Sequence, residues 1–191
     1  VCTNNLVLGE AALTMTEGES KILQVKELPT TKTLADVTFS SSNSKVLSVD
    51  AEGKITAKYE GSATVTASVK DHQGRLVKAT CQVTVEPPVY TVTFMGKGSS
   101  IPLKTEKVKA RRSATPPEMT LERIPEGYYF VGWDGSYTNV QADTVVKARY
   151  QAVIYTIDYE LGGGTLEAGA PSRYTIEHGD LPLPEPTQNG K

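Results

Sequence analysis

The chain has 191 residues, 22% of them charged, and a formal net charge of -2 at pH 7. A balance this close to neutrality excludes a global attraction to nucleic acid or an anionic membrane. The length suits one domain, or two small ones and a partial third, and no apolar run is long enough to span a bilayer.

Short Val-rich apolar runs set among many Ser and Thr residues favour strands over helices. The opening VCTNN has no basic region followed by an apolar one, so any signal peptide is expected to have been removed or never included. LTM at 13–15 and KILQVKEL at 21–28 read as early strands around a turn at Gly18. Further on, Val37 and Phe39 share a face. SATVTASVK at 62–70 turns Ala63, Val65, Ala67 and Val69 inward against Ser62, Thr64, Thr66 and Ser68. TCQVTV at 80–85 repeats the alternation with Cys81, Val83 and Val85. DAEGK at 50–54 and DHQGR at 71–75 place Asp at the start and Gly near the end of a turn. One dry and one wet face per strand is what two packed antiparallel sheets require, so residues 1–86 are expected to form a β-sandwich.

EPPVY at 86–90 marks a boundary, since two adjacent prolines cannot occupy central ladder positions. Beyond it the chain repeats itself. YTVTF starts at Tyr90 and YTIDY at Tyr155, each followed by glycines, an alternating stretch and a proline-bearing one. The first copy, 89–151, continues into GYYFVGWDGSYTNVQADTVVKARY at 127–150, which contains the sole Trp. The second copy, 153–191, ends before a counterpart of that stretch. A repeat truncated in this way is expected to pack incompletely, to lean on its neighbour, or to self-associate through open strand edges. PPEMTLERIPEG at 116–127 admits a short helical turn after its prolines.

In a module of some 60 residues, large side chains are scarce. Phe94, Tyr129, Phe130 and Trp133 are therefore expected to form its structural core, with exposure of Trp133 for recognition as the alternative. Plain alternation sends Tyr129, Val131 and Trp133 one way and Tyr128, Phe130 and Gly132 the other, and either face suits the core. Gly127, Gly132 and Gly135 fit turns or close backbone approach.

Candidate chemistry is sparse. His72 and His178 sit beside turn glycines, and neither belongs to a cluster with metal-ligand spacing. No nucleophile elbow, phosphate-binding loop or dinucleotide fingerprint occurs, so no enzyme, catalytic residue, metal site or cofactor is expected. Cys2 and Cys81 form a disulfide if the first and last strands of the sandwich are neighbours. Otherwise Cys81 is a small buried residue, and Cys2 is also a candidate for former lipid attachment. KTEKVKARR at 104–112 is the strongest charge feature. On a strand, Lys107, Lys109 and Arg111 project to one side, opposite Lys104, Glu106, Val108 and Ala110. With Arg112 they form either a solvated face that deters edge pairing or a docking patch for an acidic polysaccharide or protein. The run lacks the stacking aromatics that nucleic acid would need.

ALTMTEGES, VTFSSSNSKVLSVDAEGKITAKYEGSATVTASV and ATCQVTV, in that order, resemble the bacterial immunoglobulin-like domain of group 2. Phe39 stands where members usually place Trp. The segment from YTVTF to PEGYYFVGWDGSYTNVQADTVVKARY is similar to the Listeria–Bacteroides repeat, related to the B-repeats of internalin-type proteins, and residues 155–190 resemble the start of a second copy. The resemblances imply a mostly β chain, a sandwich followed by a β-grasp-like module and a partial copy. They also imply a secreted fragment displayed on the bacterial cell surface, without indicating how it is anchored. Its role is then adhesive, with a host or cell-surface protein or a polysaccharide as partner. The alternatives are a spacer that presents another domain, or a carbohydrate-binding accessory region of a surface enzyme.

Overall fold

The computed structural model describes residues 3–185 and 187. The chain divides into two compact units, Val1–Val89 and Tyr90–Lys191. The pairing of Cys2 with Cys81 lies outside the described residues.

Among its described residues the first unit has nine strands, β1 (Val7–Leu8), β2 (Ala12–Thr16), β3 (Ser20–Ile22), β4 (Val25–Glu27), β5 (Thr38–Ser41), β6 (Leu47–Val49), β7 (Lys54–Ala57), β8 (Gly61–Lys70) and β9 (Leu76–Glu86). One sheet runs β2-β9-β8-β5, a second runs β3-β7-β6, and β1 pairs with β4. The alternation along β8 and β9 holds throughout: Ala63, Val65, Ala67, Val69, Cys81, Val83 and Val85 are all buried. They meet Leu47, Ile55 and Ala57 of the opposing sheet in one core. The unit is an Ig-like β-sandwich.

KILQVKEL forms two strands instead of one. β3 pairs with β7 and β4 with β1, and the chain changes sheets at Leu23, which is buried while its amide donates to the Gly53 carbonyl. Two turns share one chemistry. Asp50 Oδ1 accepts from the amides of Glu52 and Lys54, and Asp71 Oδ1 accepts from those of Gln73 and Arg75. Each carboxylate thus fixes a turn by bonding amides two and four residues ahead. Gly53 closes the first of these turns at φ 79°. A Cβ there would lie 2.8 Å from Phe39 Cζ, so the half-buried Phe39 ring occupies space that only glycine leaves.

The second unit opens with four strands, β10 (Val89–Met95), β11 (Pro102–Lys109), β12 (Tyr128–Asp134) and β13 (Thr144–Ala152). The order is β11-β10-β13-β12, with β10 and β13 parallel and β12 antiparallel to β13. Taken in chain order, the strands lie 2-1-4-3 about a parallel central pair, the β-grasp arrangement. Where a helix would cover that sheet there are loops and a short 3-10 turn, Leu121–Arg123. Pro116 and Pro117 precede that turn and Pro125 follows it, which prevents extension into a helix. The covering loops are bonded to each other: Arg111 N donates to Val140 O, Val140 N to Arg112 O, and Ala114 N to Tyr137 O. Val92, Phe94, Val108, Ala114, Val140 and Val146 form the core beneath them.

Simple alternation fails in the aromatic stretch. A register shift on β12 between Phe130 and Gly132 leaves Val131 as an extra residue in the ladder. Phe130 and Trp133 consequently face the same side, with ring centroids 5.3 Å apart, and Trp133 meets the fully buried Phe94 edge-on at 5.0 Å. Tyr129, expected in the core, is 45% exposed on the opposite face.

Residues beyond 153 form a small hairpin of β14 (Tyr155–Thr156) and β15 (Arg173–Tyr174), in which Tyr155 and Tyr174 stack at 5.1 Å. A 3-10 turn follows at Ile176–His178. This segment packs against the strands before it. Tyr128 Oη donates to Glu177 Oε1 at 3.1 Å, and Lys97 Nζ lies 3.4 Å from the Tyr128 ring centroid and 3.9 Å from Glu177 Oε1. Ile176 fills the space beside Gly127, where a Cβ would come within 2.9 Å of Ile176 Cδ1.

Candidate binding face

Among the described residues, no three His, Cys, Asp or Glu side chains converge on a point. His72 is exposed in the turn after β8. His178 is also exposed, and its Nδ1 accepts from the Thr175 amide, closing a turn. Each carboxyl group with a shifted pKa is accounted for by the local fold. Burial acts to raise that of Asp71, but the amides of Arg75 and Gln73 and the Arg75 guanidinium at 2.9 Å outweigh it and hold the group below its ordinary value. Asp36 is lowered first by the Thr33 amide and then by the Thr33 hydroxyl, which together cap a 3-10 turn. Burial raises the Cys81 thiol, and the nearby Glu10 charge adds to this. These shifts are structural consequences of turns and packing, and none of them brings a second titratable group to a cleft.

The basic run divides along β11 according to strand alternation. Val108 and Ala110 are buried, while Lys107 and Lys109 are exposed on the other side. Lys104 and Glu106 lie on the covered side and tie down the loop at Thr115. Lys104 Nζ is 2.7 Å from Glu106 Oε2 and donates to Thr115 O at 2.6 Å, while Thr115 N donates to Glu106 Oε2 at 3.1 Å. The Lys104 bond, then the Thr115 amide, hold the Glu106 carboxyl below its ordinary pKa. Arg111 leaves the strand in a left-handed conformation, φ 65°, and its backbone anchors the covering loops. Arg112 belongs to that turn as well, and Lys109 and both arginines make further interactions of their own. Of the four candidates, the strand therefore presents Lys107 and Lys109 together, and the turn carries Arg111 and Arg112 away from them.

Two cations that the basic run does not include join this face. On β13, Val146 is buried, so Lys147 and Arg149 project from the uncovered side, and both are exposed. Asp134 and Gly132 of β12 are their cross-strand partners. Tyr129 stands on the same side opposite Gln151. The sequence signal for these residues is the alternation of TVVKARYQA, which becomes legible once Val146 is known to face inward.

Comparison with known proteins bears on the first unit. Residues 6–83 match the family model of the bacterial Ig-like domain, group 2. That domain is non-catalytic and is found in extracellular proteins. The chain is 36% identical over 83 residues to a kappa-carrageenase of Pseudoalteromonas carrageenovora, a match covering 44% of this chain and 21% of that protein. It is 37% identical over 82 residues to an uncharacterized protein of Clostridium acetobutylicum, covering 43% of this chain and 8% of that one. The carrageenase match involves only the Ig-like part, and the chain spans about a fifth of that relative's length. Among solved structures, domains 1–6 of the surface layer protein SbsC align over 90% of this chain and 26% of that one, at 14% identity and a TM-score of 0.30. A likeness that low carries no argument. Among the described residues, no helix is long and apolar enough to cross a membrane.

Proposed function

We propose that the chain is a non-enzymatic stretch of a secreted bacterial surface protein, acting as an adhesive module within a tandem array of small β-domains. Its parts are an Ig-like domain at 1–86, a module at 89–151 resembling the Listeria–Bacteroides repeat, and a partial second copy at 153–191. The observation that carries the reading is the contrast between the two kinds of polar group. Every carboxyl group with a shifted pKa serves the fold, whereas the uncovered face of the β10–β13 sheet gathers the exposed side chains of Lys107, Lys109, Lys147 and Arg149. The match of residues 6–83 to an extracellular, non-catalytic family supports the same reading.

The test is a binding screen of the whole chain against polysaccharides and surface proteins, run at low and raised salt. Retention of a ligand that is released at raised salt is expected. Retention of nothing would favour a spacer that presents another domain. The carrageenase similarity favours a second reading, a carbohydrate-binding accessory region of a surface enzyme. Under that reading the screen returns carrageenan in preference to proteins.

A further inference from the structure

The four-stranded sheet of the second unit has one face sealed by loops over Val92, Phe94, Val108 and Val146, and one face left open. Lys107 and Lys109 stand on the open face of β11, and Lys147 and Arg149 on that of β13. Strand geometry places members of each pair about 7 Å apart, and β11 and β13 about 10 Å apart across β10. Asp134, paired with Lys147, is the acid this face carries on β12.

Protection of a sheet edge accounts for charge on β11, an outermost strand. It does not account for Lys147 and Arg149, because β13 lies between β10 and β12 with both of its edges paired. Lys147 and Arg149 stand two residues apart and repel one another, and Asp134 opposite Lys147 offsets only one of the two charges. Thr93, Gln151 and the exposed Tyr129 ring add hydroxyl, amide and aromatic groups on the same face.

We infer that this open sheet face binds an acidic polysaccharide, with Lys107, Lys109, Lys147 and Arg149 meeting its anionic groups and Tyr129 and Gln151 contacting sugar rings and hydroxyls. The inference rests on the adhesive reading above and names its ligand class and site. A polysaccharide fits better than nucleic acid, since the face has a single exposed aromatic ring where base stacking needs a series. A polysaccharide also suits the spread of the cations over two strands about 10 Å apart, since its anionic groups repeat along an extended chain.

The experiment uses the whole chain and measures retention on dextran sulfate and on uncharged dextran of matched length, at about 50 and 300 mM salt. Binding to dextran sulfate alone is expected, weakening at least about tenfold at the higher salt, as charge-driven association does. The variant Lys107→Gln, Lys109→Gln, Lys147→Gln, Arg149→Gln is expected to lose binding at least about tenfold. The conservative variant Lys147→Arg, Arg149→Lys is expected to keep it, as is a Lys58→Gln, Lys78→Gln control in the first unit. Trp133 emission for the second unit and far-UV circular dichroism for the whole chain confirm that each variant is folded. Retention by the folded fourfold variant within about twofold of the parent overturns the site while leaving the adhesive reading intact. If the parent binds neither dextran sulfate nor any ligand of the screen, both fall. Equal retention on single-stranded DNA overturns the ligand class. So does concentration-dependent dimerisation abolished by the fourfold variant without dextran sulfate binding, which would identify the acidic 153–185 segment of a second copy as the occupant.

Discussion

Substituting Phe94→Ala tests whether the aromatic stretch is a core or a recognition surface. Phe94 is fully buried, with ring contacts to Trp133 at 5.0 Å and to Tyr137 at 5.8 Å. Removal of a buried Phe side chain costs about 3–5 kcal/mol. A unit of about 100 residues is stable by roughly 5–15 kcal/mol, so this single change removes a large share. With a urea slope of about 1–3 kcal/mol per molar, the unfolding midpoint falls by at least about 1 M. The chain contains one Trp, and Trp133 packs in this unit, so its emission follows the second unit while far-UV circular dichroism follows both. Tyr129→Ala serves as the matched comparison. Its ring is 45% exposed on the open face, and the expected cost is below about 0.5 kcal/mol. Equal midpoint shifts for the two variants would refute the bulge at Val131 and the core it defines. So would a Trp133 transition that Phe94→Ala leaves in place.

Gly53→Ala forces a side chain into a left-handed position and against Phe39. It should cost the sandwich more than about 1 kcal/mol in thermal unfolding, and a neutral result would refute the close approach. Asp71 has a folded pKa below its unfolded value near 3.9, so its contribution is present above that value and is lost as pH falls through the folded one. Melting temperatures measured from pH 6 to 3 should therefore fall further for the parent than for Asp71→Asn; parallel curves would contradict this. Glu177→Gln weakens exposed contacts worth less than about 1 kcal/mol, and should show chiefly as faster tryptic cleavage after Arg173. Cys81, buried and with a raised pKa, should react slowly with a thiol reagent in the native chain. In denaturant, recovery of no thiol would indicate the bridge to Cys2, whereas recovery of both would exclude it.

The sandwich was largely legible in its sequence because each long strand keeps one wet face, so that Ala63 through Val85 sort by alternation alone. The strand switch at Leu23 was not, since a chain that leaves one sheet and enters another stays extended and apolar across the break. In the second unit the decisive facts are non-local. The pairing of Phe94 with Val146 joins residues far apart in the chain, and the bulge at Val131 exists only relative to β13. Alternation read without that partner sets Phe130 and Trp133 on opposite sides, and the scarcity of large side chains places Tyr129 in the core with them. The candidate site shows the same division. Lys107 and Lys109 come from one run and were visible, while Lys147 and Arg149 join them only once β10 and β13 lie side by side.

The wet faces of the two units differ in degree: that of the sandwich is mainly hydroxyl and amide, with Lys70 and Lys78 on interior strands, and that of the second unit is mainly cationic. Along β8 the outward residues are Ser62, Thr64, Thr66 and Ser68, and Thr64 Oγ1 donates to Gln82 Oε1 of β9 at 2.9 Å. Hydroxyl and amide groups of that kind satisfy one another and need nothing from outside. The second unit could have used the same chemistry over its small core, and Thr91 and Thr93 on β10 show that it does so in part. On β11 and β13 it uses lysine and arginine instead, long side chains that lose conformational entropy when ordered and repel one another when crowded. On an interior strand such residues are a cost unless a partner of opposite charge offsets it. On the proposed reading, that difference fits the sandwich to extension and display and the open face of the smaller unit to contact.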